Sequence, residues 1–226
     1  MSDTRDWDLN APYAMGIDDY ILFKKYVPLG AKIIVELGSG ESSCQIAQDF
    51  PQSQIYSLES LELYQHRTRA LLDRHGLQNA KVLLSPIHIQ WWRGGLYRTY
   101  DPAPLDQVPS IDVLLIDGPV ERLFPQGREA ALYLLFERCR PGAIIGLDDY
   151  HRLSAKAAVR RWNETFGDSL ETLMETNSFI VLRKEYDCHS PRNNIGRQIQ
   201  SLFNVGKSCI RTGKLSIKEF IKKCLG

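Results

Sequence analysis

The sequence has no apolar run approaching the roughly 18 residues that a membrane span needs, no internal repeat and no low-complexity tract. Its five cysteines are odd in number, widely spaced and without a C-x-x-C pair. This pattern argues against a disulfide framework or a zinc site and favours reduced thiols. Residues 1–10 are polar and acidic, unlike a signal peptide. We therefore expect a soluble, cytoplasmic globular protein.

A large charge of either sign is also lacking, since the net charge is +1. This balance argues against a nucleic-acid partner. The charge is nevertheless uneven along the chain. Residues 187–226 carry eight Lys or Arg against two Asp or Glu, so this basic segment has a net charge of +6 and the preceding residues −5. This asymmetry indicates that the C-terminal segment is distinct in charge from the rest of the chain.

Strand-like and helix-like patterns alternate along the chain. The predicted strands are residues 32–37, 54–59, 80–85, 111–117 and 143–147, followed by a hairpin of 169–175 and 178–183. The predicted helices are residues 42–50, 61–75, 128–138 and 154–166. This order predicts a doubly wound α/β fold with ligands at the carboxyl ends of the strands. We expect an N-terminal helical segment (1–31), a catalytic domain (32–186) and a basic helical tail (187–226).

The turn after the first strand has the features of a cofactor loop. Gly38 allows a tight turn, and Gly40 allows a ligand to approach the backbone closely. Glu59 ends the second strand, 21 residues after Gly38, where a carboxylate can bind a ribose diol. Glu36 would repel a pyrophosphate and attract a sulfonium and an ammonium group. With Ser43 where a dinucleotide motif has glycine, the loop favours S-adenosylmethionine over a nicotinamide dinucleotide.

The motif Val-Glu-Leu-Gly-Ser-Gly at residues 35–40 resembles motif I of class I methyltransferases, and Leu58-Glu59 resembles the acidic end of their second strand. The resemblance extends over about residues 32–184. It implies a seven-stranded, mostly parallel sheet whose last strand is antiparallel. Ser42 replaces the third glycine common in motif I. The predicted cofactor-binding residues are Glu36, Gly38, Ser39, Gly40, Glu59, Ser85 and Asp117.

A second polar group follows two neighbouring predicted strands, where Asp117 ends one and Asp148-Asp149 ends the next. Three interpretations stay open. The aspartates bind Mg²⁺ or Mn²⁺, which holds a substrate hydroxyl and lowers its pKa. Alternatively no metal binds, and His151 or Asp148 is the general base. In the third, the aspartates only cap a helix and close a turn.

These acids also resemble those of other enzymes. Asp117 with Asp148-Asp149-Tyr150 is similar to the metal-binding acids of macrolide and aminocoumarin sugar O-methyltransferases. A wider pattern resembles plant glucuronoxylan methyltransferases: Asp117-Gly118-Pro119, Gly127-Arg128 and residues 148–152, which end in Arg152. The resemblance implies O-methylation of a sugar, a glycan or another small hydroxylated acceptor. The alternatives are a nitrogen, protein or RNA acceptor, or a non-catalytic module that binds an adenosyl cofactor.

Several further side chains have two interpretations. Arg128 and Arg152 are either solvated charges at helix ends or ligands for an acidic acceptor. Trp91, Trp92 and Tyr97 lie in a long link, residues 86–110, which we expect to form part of a substrate lid. Their rings stack on a sugar or on adenine, or they pack a loop onto the core.

The basic tail also has two interpretations. Apolar residues recur among its lysines, and positions 217, 220, 221 and 225 follow helical spacing. The first interpretation is a helix packed on the catalytic domain. The second is a basic amphipathic element that docks a protein partner or an anionic membrane surface, which would make the protein peripheral to a membrane.

Overall fold

The computed structural model describes residues 15–188, 191 and 194–225, with the side chains of the last helix described up to residue 213. Residues 1–14 of the predicted N-terminal helical segment (1–31) lie outside this range. The helices are α1 (Ile17–Lys24), α2 (Glu41–Asp49), α3 (Glu62–Arg74), α4 (Gly127–Leu135), α5 (Leu153–Phe166) and α6 (Ile195–Leu225). The strands are β1 (Ile33–Leu37), β2 (Gln54–Glu59), β3 (Ala80–Leu84), β4 (Ile87–Trp92), β5 (Gly95–Tyr100), β6 (Ile111–Ile116), β7 (Cys139–Asp148), β8 (Leu170–Glu175) and β9 (Phe179–Lys184).

Seven strands form one sheet in the order β3-β2-β1-β6-β7-β9-β8. The five strands from β3 to β7 are parallel, and β9 runs antiparallel to both of its neighbours. The predicted α/β fold with an antiparallel last strand is confirmed. Every residue of the central strand β6 is buried, as expected of a parallel strand covered on both faces.

The helices cover both faces of this sheet. On one face, α4 and α5 enclose a core that includes Leu132, Phe136 and Trp162. On the other, α1 and α2 pack Phe23 and Ile46 against the strands. All five of these side chains are at most 1% exposed. This layering leaves the carboxyl ends of β1, β2, β6 and β7 as the edge where loops can assemble a site.

The long link over residues 86–110, which we expected to form part of a substrate lid, contains two strands that the sequence analysis did not predict. Strands β4 and β5 form an antiparallel hairpin in this segment. The turn joining them contains Arg93 and Gly94, both with positive φ (43° and 82°), which is typical of tight hairpins. Tyr97 is buried, and Trp92 stacks on Tyr133 of α4 with ring centroids 4.3 Å apart. These two rings therefore pack the hairpin onto the core.

Helix α6 lies against the hairpin, chiefly against β5. Up to residue 213, where its side chains are described, its buried positions are polar: Arg197, Ser201, Asn204 and Ser208. The predicted apolar positions 217, 220, 221 and 225 have side chains outside the described set. Among the described residues, no helix is both long enough and apolar enough to cross a bilayer.

Candidate active site

The loop between β1 and α2 is shaped by two glycines with different constraints. Gly38 has φ +99°, a conformation that L side chains rarely adopt. A Cβ at Gly38 would lie 3.4 Å from the Gly118 backbone nitrogen. Gly40 has an extended φ of 175°, and a Cβ there would meet no protein atom within 4 Å. Glycine at position 38 is thus required by the fold, whereas position 40 opens onto free space.

Glu36 is fully buried and lies beneath this loop. Its carboxylate accepts hydrogen bonds from the hydroxyls of Ser42 (2.5 Å), Ser43 and Ser57 (2.7 Å). Burial raises the pKa of Glu36, and the three hydroxyl donors oppose that rise. The expectation that its carboxylate faces a charged ligand does not match this placement. Glu36 instead joins the start of α2 to β1 and β2, which holds the loop in place.

Glu59 ends β2 and contacts the cofactor loop directly. Its Oε2 accepts hydrogen bonds from the Ser39 backbone N–H (3.4 Å) and hydroxyl (3.2 Å). Its Oε1 accepts one from the Leu61 N–H at 2.9 Å, at the start of α3. The structure thus brings together Ser39 and Glu59, as their predicted roles require. The Ser39 contacts are long, so a stronger hydrogen-bond donor can replace them.

Ser85 does not join this group. It is fully buried, and its hydroxyl donates to the Asp101 carbonyl oxygen at 2.8 Å. Its backbone N–H donates to the Glu59 carbonyl oxygen at 2.7 Å. This placement is at odds with a cofactor contact through its side chain, and Ser85 instead ties the start of the hairpin segment to the end of β2.

The three predicted aspartates converge next to the loop. Asp117, Asp148 and Asp149 each offer a carboxylate oxygen within 4.8 Å of the others. The Asp117 N–H donates to the Leu37 carbonyl oxygen at 3.0 Å, which places this cluster one residue from Gly38. Asp149 adopts a left-handed conformation (φ 61°), which aspartate tolerates better than most residues.

Arg128 ties the cluster together from the first turn of α4. One terminal nitrogen lies 3.2 Å from Asp117 Oδ1, and the other lies 2.9 Å from Asp149 Oδ2. The latter also donates to the Asp148 carbonyl oxygen at 3.0 Å. Since Arg128 is only 8% exposed, the interpretation as a solvated charge is wrong. Arg152 pairs with Asp149 at 2.9 Å and has a side chain that is 41% exposed.

The environment of the cluster raises the pKa values of Asp117 and Asp148. Burial is the main cause for both, and proximity to another carboxylate adds to it, while Arg128 opposes the rise. Two such neighbouring carboxyls share protons more readily than an exposed aspartate does. The pair is therefore suited to accept a proton near the loop.

Among the described residues, His151, a predicted base, is not hydrogen-bonded to the aspartates, whereas Tyr100, which was not predicted, lies beside Gly118. His151 is exposed, and within the described part of the chain no hydrogen bond or ion pair joins it to the aspartates. Sequence reasoning missed Tyr100, the last residue of β5. Its buried hydroxyl lies so close to Gly118 that a Cβ there would be 2.4 Å from it. Burial and nearby carboxylates raise its pKa. Only recognition of the hairpin would have pointed to it.

The aspartate cluster has several features of a metal site. Three carboxylate oxygens at this spacing match the preference of Mg²⁺ or Mn²⁺ for hard oxygen ligands. Arg128 already neutralises two of these three groups, so an ion would have to share them with a guanidinium. The cluster therefore offers the ligand atoms that a divalent cation uses, in competition with Arg128.

Comparisons with solved structures support the same fold. An O-methyltransferase from Streptomyces achromogenes with SAM is 14% identical (TM-score 0.55; 74% of this chain, 79% of that chain covered). An O-methyltransferase from Bacillus cereus with SAH is 17% identical (TM-score 0.55; 74% and 80% covered). A precorrin-6y C5,15-methyltransferase from Geobacter metallireducens is 16% identical (TM-score 0.56; 78% and 92% covered). At these identities the likeness shows the fold alone.

Sequence comparison adds the family. No curated protein matches the chain. A family model described as a methyltransferase domain matches residues 35–150, which is just over half of the chain and spans both the cofactor loop and the aspartate cluster. The chain therefore belongs to this methyltransferase domain family, and its fold is that of solved class I methyltransferases.

Proposed function

We propose that the chain methylates a hydroxyl oxygen of a small acceptor. The first candidate class is a sugar or a glycan. One observation carries this proposal: Asp117 and Asp148, both with raised pKa, lie directly beside the cofactor loop. A hydroxyl is a poor nucleophile until its proton is removed, and a nearby carboxylate can remove it. The solved O-methyltransferases of this fold are consistent with an oxygen acceptor.

The proposed cofactor site consists of the loop backbone at residues 38–40 and the Glu59 carboxylate. The open space at Gly40 gives a ligand access to the backbone of residues 38–40, which would hold the amino-acid part of S-adenosylmethionine. Glu59 would accept the ribose hydroxyls in place of its long Ser39 contacts. Glu36 acts by fixing the loop, since its own oxygens are occupied by three serine hydroxyls.

When bound, S-adenosylmethionine supplies a methyl group on a positively charged sulfur. The acceptor oxygen forms a bond to that methyl carbon as the carbon–sulfur bond breaks, leaving S-adenosylhomocysteine. In this proposal Asp148 takes the hydroxyl proton, and Asp117 shares it. Arg128 holds both residues in position, and placing the oxygen in line with the methyl group supplies most of the rate.

A metal-assisted version uses the same residues. Asp117, Asp148 and Asp149 would hold Mg²⁺ or Mn²⁺, which would lower the pKa of the acceptor hydroxyl. Full activity in excess chelator would leave Asp148 as the base. Loss of activity in chelator, restored by added Mg²⁺, would favour the metal.

For acidic acceptors, Arg152 is the better proposed ligand of the two arginines. Arg128 is buried among the aspartates, whereas Arg152 uses one nitrogen on Asp149 and is otherwise partly exposed. A guanidinium with free donors at the rim can bind a carboxylate or phosphate in two-point contacts. Arg152→Met should therefore raise KM for acidic acceptors and leave KM for neutral ones unchanged.

The test is mass spectrometry of the full chain with isotopically labelled S-adenosylmethionine and a panel of sugars, glycans and phenols. We expect label on an oxygen of at least one acceptor. Asp148→Asn should abolish transfer while S-adenosylhomocysteine still binds in calorimetry. Label on nitrogen, protein or RNA only would refute the oxygen assignment, and absence of cofactor binding in the unmodified chain would indicate a non-catalytic module.

A further inference from the structure

Helix α6 is amphipathic, but its polar side faces the protein and its apolar side faces outward. A usual surface helix packs with its apolar side inward. Among the described side chains of α6, residues 195–213, the buried positions are all polar: Arg197, Ser201, Asn204 and Ser208. The large apolar side chains of its described part are 51–73% exposed: Ile195, Ile199, Leu202, Phe203 and Ile210. At about 100° per residue these five fall within an arc of roughly 120°. The arc is centred opposite the buried positions.

The polar side of α6 is held by specific hydrogen bonds. Ser201 Oγ accepts from the Leu96 N–H at 3.0 Å, and Asn204 Nδ2 donates to Gln126 Oε1 at 2.7 Å. Ser208 Oγ donates to the Leu123 carbonyl oxygen at 2.7 Å. Rotating the helix to bury its apolar side would leave these buried groups without partners, which is costly. The outward direction of the apolar arc is therefore fixed by the fold.

The hairpin adds apolar surface on the same side. Ile89 pairs with Arg98 across β4 and β5, and Trp91 pairs with Leu96, so Ile89 and Trp91 lie on the same hairpin face as Arg98. Arg98 reaches α6, where it donates to Ser208 Oγ at 3.1 Å. Ile89 is 53% exposed and Trp91 is 68% exposed. The exposed apolar surface of this face thus includes strand residues as well as the helix.

The charge of α6 indicates which partner this surface suits. Residues 195–225 contain seven Lys or Arg and one acidic residue, Glu219. Lys207 is exposed and lies about 40° beyond one edge of the apolar arc at 100° per residue, whereas Arg211 lies nearer the buried side and donates to the Arg122 carbonyl oxygen. A second copy packed helix to helix would bring like charges together with almost no acidic residue to pair with them. Anionic lipid headgroups complement the same charges.

We propose that the outer face of α6, with Ile89 and Trp91 beside it, binds an anionic lipid surface. The apolar arc enters the boundary between headgroups and acyl chains, and the basic edge meets lipid phosphates. The sequence continues the apolar spacing beyond the described side chains, with Ile217, Phe220 and Ile221. This mode of binding needs no membrane span. It is independent of which acceptor is methylated.

The test is co-sedimentation of the full chain with vesicles of phosphatidylcholine alone or with anionic phosphatidylglycerol added. We expect binding to the anionic vesicles only, weakened by salt. Phe203→Ser should weaken it at least about tenfold, the effect of losing one buried aromatic side chain. Lys207→Glu should weaken it at least about fivefold. Leu29→Ser is the matched control, because Leu29 is fully exposed (102%) in the loop before β1, and it should bind like the unmodified chain.

Circular dichroism and melting temperature of each variant establish that it is folded. Binding to neither vesicle, or equal binding to both, would overturn the proposal. So would a concentration-dependent dimer in analytical ultracentrifugation that Phe203→Ser abolishes, together with no vesicle binding, since a second copy would then cover the face. Loss of binding in Leu29→Ser to the same degree as in Phe203→Ser would also contradict it.

Discussion

The substitution Gly40→Ala separates ligand contact from fold stability. A Cβ at this position meets no protein atom within 4 Å, and the backbone φ of 175° suits alanine. If residues 38–40 cradle S-adenosylmethionine, the added methyl group occupies space that the ligand needs. The variant should therefore fold normally and bind its cofactor poorly.

The expected magnitudes follow from this geometry. Alanine is less favourable than glycine at the N-cap of α2, by roughly 0.5–1 kcal/mol. Loss of backbone freedom in the unfolded chain returns about 0.4–1 kcal/mol. These effects nearly cancel, so the melting temperature should change by no more than about 2 °C. Crowding in the bound complex should cost about 1–3 kcal/mol, which is a 5- to 150-fold weaker affinity.

Calorimetry with S-adenosylhomocysteine measures the affinity, and thermal unfolding measures the stability. Gly38→Ala is the matched control, because its φ of +99° strains any L side chain, and it should lower the melting temperature by several degrees. A Gly40→Ala protein that is folded and binds within twofold of the unmodified chain would refute the assignment of the loop.

Three further predictions concern the carboxylates and Arg128. Glu59→Ala should weaken S-adenosylhomocysteine binding by about 1–3 kcal/mol, with Glu59→Gln intermediate in calorimetry; undiminished affinity in Glu59→Ala would exclude the ribose contact. Arg128→Met leaves buried carboxylates without their cation and should cost about 3–5 kcal/mol in urea unfolding, whereas the more exposed Arg152→Met should cost less than about 1 kcal/mol; equal losses would contradict the difference in burial. Because the pKa of Asp148 is raised, kcat should fall as the pH drops through that raised pKa and protonates the base, at a higher pH than an ordinary aspartate near 3.9 would give. A rate independent of pH throughout the acidic range would argue against Asp148 as the base.

The main sheet was predictable because its parallel strands are short apolar runs, four of which end in or are followed by a glycine or an acidic residue. Residues 54–59 were predicted exactly as β2 is observed, and 111–117 extends one residue beyond β6. The convergence of Asp117 with Asp148-Asp149 was also predictable, since neighbouring parallel strands end at one edge. These features depend on local pattern and on topology shared by all doubly wound sheets.

Other features depend on contacts between distant segments, which periodicity does not encode. Three hydroxyls from two elements enclose Glu36, and their hydrogen bonds make its carboxylate a support of the loop. Arg128 looks in sequence like any charge at a helix start, and only the closeness of three aspartates explains its burial. The hairpin was missed because its turn, Arg93-Gly94, is not one of the commonest hairpin dipeptides.

The orientation of α6 was unpredictable for a different physical reason. A sequence pattern assigns apolar positions to the buried side of a helix, because burying a polar group without a hydrogen-bond partner is costly. That cost is absent when each buried polar group has such a partner. Asn204 and Ser208 find theirs on residues 123–126, the turn that leads directly into α4 and Arg128. The polar side of α6 therefore supports the segment that positions the aspartates. These hydrogen bonds fix which side of the helix faces inward, and the apolar arc lies on the surface as a consequence.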